Sequence, residues 1–135
     1  MSQLNIVKFL KIEELNCSLS VYECGKDIPF EVRRIFTVKA KSGSFRGDHA
    51  HKKCTQLLVC VAGKMLVTCD NGKEISEHLL EGMEYGILVP PGTWASQNYL
   101  MNESLLMVLC DRVYENDDYI RDYSELRKYI EAVNN

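Results

Sequence analysis

Short stretches of strand character follow one another through most of this chain with only turn-length gaps between them, and that rhythm constrains the fold more than any other feature. Apolar or alternating runs fall at 6–12, 19–24, 31–40, 49–51, 55–61, 64–70, 74–80, 85–89 and 105–110, the pattern of an all-β sandwich or barrel. The turn chemistry agrees. Asp70-Asn71-Gly72-Lys73 is a strong hairpin signal, because Asn-Gly tolerates the positive φ angles of a tight primed turn. Glu81-Gly82 and Pro90-Pro91-Gly92 punctuate the next strands. Only the end changes period. From Asp122, apolar residues fall at Tyr123, Leu126, Tyr129 and Ile130, one face of a short helix, and Asp122 with Glu125 fits a capping box.

With 135 residues and no repeat, linker or low-complexity tract, the chain is expected to be one domain, 1–135, with a single core and a single site. Its net charge of −3 argues against a nucleic-acid partner or an anionic membrane surface. No leader-like N-terminus or membrane-length apolar run is present, so the expectation is a soluble, cytoplasmic protein. The six cysteines, Cys17, Cys24, Cys54, Cys60, Cys69 and Cys110, show no C-x-x-C spacing, and several sit inside apolar runs. A disulfide framework or zinc ribbon is not expected.

The chemistry concentrates in Arg46-Gly47-Asp48-His49-Ala50-His51-Lys52-Lys53-Cys54-Thr55-Gln56. Two histidines two residues apart on an extended strand project from one face, so both imidazoles reach one small volume. Such a pair is either a metal half-site or a proton-handling pair. Two histidines that merely hydrogen-bond inside a barrel are the plainer alternative, but two of the chain's three histidines at this spacing beside Arg46 favour function. The third, His78, sits between Glu77 and Leu79 and reads as a surface residue. Arg34 shares a parity with Val32, Phe36 and Val38; if that parity faces inward, the guanidinium needs an anion or a carboxylate to meet it. Arg46-Gly47-Asp48 also spells an integrin-binding tripeptide, here read as coincidence.

The spacing His49-x-His51-x(4)-Gln56-x(6)-Gly63 resembles the first signature of the cupin superfamily, which usually carries Glu where Gln56 stands. Pro90-Pro91-Gly92-Thr93-Trp94 loosely echoes the second signature, with Ala95 in place of its histidine. The resemblance implies a double-stranded β-helix, or jelly roll, with the site inside the barrel and a short C-terminal α-helix after it. A metal-binding cupin supplies three histidines and a carboxylate; here the carboxylate is an amide and one imidazole a methyl group. Two neutral nitrogens alone make a poor site for iron, manganese or zinc, so no metal and no cofactor is expected.

Beyond the superfamily, the chain resembles the sugar 3,4-ketoisomerases that act on dTDP-4-keto-6-deoxyglucose. The likeness rests on Ile28-Pro29-Phe30 leading to Arg34, on Arg46-Gly47-x-His49-Ala50-His51-Lys52, on Gln56-x-Leu58-Val59-Cys60, and on Trp94 after its turn. It extends to Met107-Val108-Leu109 and Asp118-Tyr119-Ile120-Arg121-x-Tyr123, a tail that a generic cupin would not need. It implies a metal-free isomerisation through an enediol, serving deoxysugar synthesis for O-antigen, S-layer or related glycans. His51 is expected as the carbon base and His49 as the shuttle between oxygens. Arg46 and Gln56 are the expected donors to the enediolate. Gln56 lies an odd number of residues from His51, so a turn or bulge over 52–54 must return it to the same face. Arg34, with Arg33 beside it, is assigned to phosphate and Trp94 to stacking, while Arg121 is expected to pair with an acidic neighbour.

Two departures from the family pattern are Asn16-Cys17-Ser18-Leu19, where relatives often carry Arg-Gly, and Ala95, where some carry histidine. They leave the galacto or gluco outcome at C4 open. The rival readings are a cupin epimerase on the same ketosugar, a non-catalytic sugar-nucleotide-binding cupin, and a metal-dependent dioxygenase or isomerase. The resemblance also implies a homodimer, with exchanged N-terminal strands as one form of it.

Overall fold

Residues 5–134 of the chain are described by the computed structural model. In order, the elements are β1 (Ile6–Lys8), β2 (Leu10–Glu14), β3 (Cys17–Val21), β4 (Arg34–Ala40), β5 (Phe45–His51), β6 (Gln56–Ala62), β7 (Lys64–Asp70), β8 (Ile75–Glu81), β9 (Tyr85–Val89), β10 (Trp94–Tyr99), β11 (Ser104–Cys110), a 3-10 turn at Asn116–Asp118, β12 (Tyr119–Ile120) and α1 (Tyr123–Asn134). Two five-stranded sheets face each other, in the orders β1-β9-β6-β11-β4 and β12-β5-β10-β7-β8. This is the expected all-β jelly roll with one short C-terminal helix.

Alternation explains how the sheets close on each other. In the first sheet Leu58, Cys60, Ile87, Val89, Leu106 and Val108 point inward to meet Met65, Val67, Cys69, Leu80 and Tyr99 of the second, and these form the main core. The outer face of the first sheet presents Leu57, Val59 and Leu109, which the chain between β3 and β4 covers with Ile28, Phe30 and Val32. The outer face of the second is covered by α1, whose Leu126 packs with Ala50 and Ile120. The β2–β3 hairpin pairs with neither large sheet, and its apolar residues stay outside, Leu15 at the tip being 97% exposed.

The structure corrects several sequence expectations. The run 6–12 breaks at Phe9, whose buried ring and N–H, donated to Glu84 O at 2.8 Å, turn the chain from the first sheet into the hairpin. Strand β10 was not expected, because Ala95-Ser96-Gln97-Asn98 lacks β-branched and apolar residues. It forms because it is central, flanked by β5 and β7, and buries Ala95, Gln97 and Tyr99. The Asn-Gly hairpin is present, but as a four-residue loop between Asp70 and Ile75. Only Gly72 in it has positive φ, and Asn71 Oδ1 accepts the Lys73 and Glu74 amides at 2.9 Å each. His78 is buried on the inner parity of β8, at 9% exposure, beside Leu80. Asp122 caps α1 through Ser124, whose N–H and hydroxyl both donate to Oδ1 at 2.9 Å. No bond from Glu125 back to Asp122 through its side chain occurs among the described residues.

Candidate active site

The end of the barrel where β5 stops is polar, and register makes it so. One rung across the first sheet carries Val89, Gln56, Cys110 and Arg34 on the inner face, one step above the apolar rung Ile87, Leu58, Val108 and Phe36. Across from it, β5 presents His49 and His51, and Tyr119 on β12 pairs with His51. Inward polar groups thus gather at one mouth, with a dry core beneath them.

A bulge keeps β5 in phase. His49 pairs with Ala95 and Gly47 with Ser96, so Asp48 is the extra residue. Gly47 has φ +88°, and a Cβ there would lie 2.8 Å from Ala95 O; only glycine fits. Without the extra residue Arg46, three positions from His49, would point outward. With it, Arg46 pairs with Gln97 on the inner face, although toward the opposite end of the barrel. After β5 the segment 52–55 crosses to the first sheet, and Gln56 arrives buried and inward, as its place in the sequence required.

The two imidazoles lie edge to face, with centroids 5.1 Å apart. His49 Nδ1 is 3.1 Å from Gly47 O and His51 Nδ1 is 3.0 Å from Asp118 Oδ2. A carbonyl and a carboxylate only accept, so in each neutral ring Nδ1 carries the hydrogen and Nε2 the lone pair. His51 is 5% exposed, and its Nε2 is buried with no hydrogen-bond partner. Burial holds both rings below the ordinary imidazole value of 6.5. For His51 the Asp118 carboxylate opposes that shift, while Arg34 and Arg121 add to it. Both rings are therefore neutral at neutral pH, each with its lone pair on Nε2.

Sequence reasoning left Asp118 and Tyr119 without roles and gave Arg121 only an ion pair in the tail. The Asp118 carboxylate accepts the His51 ring, the Lys53 amide at 2.7 Å and the Cys54 amide at 3.2 Å, which ties the 3-10 turn to the end of β5. The Tyr119 ring lies 4.4 Å from His51 and 5.1 Å from His49. Arg34 Nη1 reaches its hydroxyl at a long 3.5 Å, and the Arg34 guanidinium stacks on Phe36 and Tyr114. Arg121 lies over the Tyr119 ring at 4.3 Å and donates to Asn116 Oδ1 at 3.2 Å; no ion pair to it occurs among the described residues. The expected acidic partner of Arg121 is thus replaced by an aromatic face beside the site. The only signal available was the Asp118–Arg121 segment itself, which the family resemblance marked as distinctive.

Two further assignments change. Arg34 and Arg121, not Arg46, are the cations acting on the imidazoles. Trp94 stands on the outer face of β10, because Ala95 takes the inward parity opposite His49. Its ring meets Tyr123 of α1, and its Nε1–H points to Asp48 Oδ1 at 3.4 Å, so it packs the helix and does not line the histidine pair. Arg33 is exposed. Gln56 donates to Cys110 Sγ at 3.6 Å. The cupin ligand positions therefore offer two Nε2 lone pairs, a committed amide and a methyl group, a donor set that does not fit a transition ion. A cleft of about 420 Å³ between α1 and the β7–β8 loop, lined by Cys69, Thr93, Tyr129 and Ile130 among others, contains none of these groups.

Comparison with known proteins gives a consistent result. A family model described as FdtA: WxcM-like, C-terminal matches residues 2–131. A TDP-4-oxo-6-deoxy-alpha-D-glucose-3,4-oxoisomerase of Aneurinibacillus thermoaerophilus is 36% identical over 130 residues, covering 96% of this chain and 94% of that protein. The sugar 3,4-ketoisomerase QdtA of Thermoanaerobacterium thermosaccharolyticum, solved with TDP, superposes with a TM-score of 0.90 at 26% identity, over 98% of each chain. A histidine-to-asparagine mutant of it, solved with TDP-4-keto-6-deoxyglucose, gives 0.86 at 27% identity over 97% of this chain and 95% of that one. The rmlC epimerase of Mycobacterium tuberculosis shares the fold at 15% identity, with a TM-score of 0.75 over 84% of this chain and 66% of that one.

Proposed function

The chain belongs to the FdtA, WxcM-like C-terminal family, and from that premise we propose that it is a 3,4-ketoisomerase of TDP-4-keto-6-deoxyglucose. The observation that carries the mechanism is His51: Asp118 holds its Nδ1 hydrogen, and its Nε2 lone pair is buried, unpartnered and beside a second imidazole. The C3 hydrogen of the substrate lies next to the C4 ketone and is acidic for that reason. His51 Nε2 takes that proton, and an enediol forms across C3 and C4. His49 moves the hydroxyl proton from O3 to O4, and His51 returns its proton at C4, leaving the ketone at C3. Tyr119, Arg34 and Arg121 surround the imidazoles with a hydroxyl and two cations, a preorganised field for the enediolate. Gln56 is assigned to the sugar, and Arg46, exposed toward the opposite end of the barrel, is given no part in the chemical step. No step needs a metal or cofactor.

An epimerase reading gains one observation, the tyrosine beside the histidines. Incubation with TDP-4-keto-6-deoxyglucose in D2O with a chelator present separates the two. The isomerase relocates the carbonyl to C3, with deuterium at C4 to the extent that the proton on His51 exchanges with solvent before its return, whereas an epimerase inverts a centre and leaves the carbonyl in place. His49→Asn and His51→Asn should each lower turnover by about 10²-fold or more. Unchanged rates in both variants would overturn the roles given to the two histidines, no turnover by the wild-type chain would indicate a binding protein, and a rate that requires an added transition ion would sink the metal-free mechanism.

For assembly, the exposed Leu10, Ile12, Leu15 and Leu19 of the β2–β3 hairpin support a homodimer in which this hairpin pairs with or crosses to a second copy. Light scattering showing only monomer at working concentration would refute it.

A further inference from the structure

Around His51 lies a set of donors that includes a thiol, Cys54, for which the isomerisation has no use. A His51 ring nitrogen, Cys54 Sγ and an Asp118 carboxylate oxygen lie within 4.8 Å of one another, and all three residues are buried. Only His51 belongs to the cupin ligand positions; the thiol and the carboxylate come from the 52–55 crossover and the 3-10 turn.

This set suits a soft or borderline divalent ion. His51 Nδ1 and Asp118 Oδ2 are 3.0 Å apart, close to the edge of about 3.3 Å that ligand bonds of about 2.0–2.1 Å give a tetrahedron. The proton between them can therefore be exchanged for an ion with a shift of a few tenths of an ångström. The Lys53 and Cys54 amides already donate to the carboxylate at 2.7 and 3.2 Å, the kind of support that orients a ligating carboxylate. One thiolate, one imidazole and one carboxylate select zinc or cobalt over magnesium or calcium. A fourth position is left to water or to the neighbouring thiol of Cys110.

We propose that His51, Cys54 and Asp118 form an inhibitory zinc site. On binding, the Cys54 thiol loses its proton to solvent. The His51 hydrogen moves from Nδ1 to Nε2, so that Nδ1 ligates the ion while Asp118 becomes its oxygen ligand. The ring then carries hydrogen on the atom that must accept the carbon proton, and the base is lost. The inhibition, though not the binding, rests on the isomerase reading.

The test is a cobalt titration of the full chain in a Cys17→Ser/Cys24→Ser background, which removes the two exposed thiols. One equivalent of cobalt should produce a thiolate-to-cobalt absorption band that zinc displaces. Cys54→Ser and His51→Asn should each abolish the band and weaken binding by about 10- to 100-fold or more. Zinc should suppress turnover of the background protein by about tenfold or more, reversibly with chelator, and should leave whatever rate Cys54→Ser retains unchanged. A band that survives both substitutions, or no band at one equivalent, overturns the site. A Cys54-dependent band with full turnover in zinc overturns its inhibitory role. A protein that binds cobalt in this way but does not isomerise the ketosugar keeps the site and loses the functional reading.

Discussion

Asp118→Asn removes one charge and almost no volume, and the hydrogen bonds around the carboxylate dictate its effect. The native carboxylate meets the Lys53 N–H at Oδ1, and the His51 ring and Cys54 N–H at Oδ2. All of these are donors, and an amide offers only one oxygen. If that oxygen stays toward His51, the NH2 group faces the Lys53 amide across 2.7 Å, donor against donor. If it turns toward Lys53, the NH2 group faces His51 Nδ1, which must then accept, and the ring hydrogen moves to Nε2. The first arrangement loses a charge-assisted hydrogen bond and the second loses the base. Stability should fall by about 1.5–3 kcal/mol, a drop in Tm of about 5–10 °C for a chain of this size. Turnover should fall by about 10²- to 10⁴-fold, the range seen when a catalytic imidazole loses its orienting carboxylate. The carboxylate also raises the His51 pKa against burial, so the acid limb of kcat/KM should move to lower pH. Calorimetry and the pH–rate profile measured with TDP-4-keto-6-deoxyglucose test this together. Turnover within threefold of wild type, with the acid limb unmoved, would refute the orienting role even if Tm fell.

Two further outcomes are expected from the same site. Gly47→Ala places a Cβ 2.8 Å from a backbone oxygen of the central strand at φ +88°, so stability should fall by about 2–4 kcal/mol; a Tm within about 2 °C of wild type would show that the bulge can relax. Burial lowers both site imidazoles, so below about pH 6.5 the unfolded chain binds more protons than the folded one. Stability from these rings is then complete above that pH and lost as pH falls. The Tm should decline with acidification over that range, and His51→Asn should flatten the decline.

The fold was legible in the sequence wherever side chains alternate by hydrophobicity, and it was hidden where they do not. Strand β10 looks like a loop by composition because its inward residues are a methyl group, an amide and one tyrosine, and only its neighbours make it a strand. The histidine pair was legible because its spacing is local. Asp118 was not, because it lies 67 residues from the ring that it orients and is brought there by a strand of two residues. The face that Trp94 takes was hidden for a related reason: parity on β10 cannot be set until the strand is known. Arg46 faces inward only because of an extra residue at Asp48, which no periodicity reveals.

Late delivery of Asp118 has a consequence for how activity arises during synthesis. Both imidazoles leave the ribosome well before the carboxylate that assigns the hydrogen of His51, 67 residues beyond it. A nascent chain halted between those points has no carboxylate to fix which nitrogen of His51 carries the hydrogen.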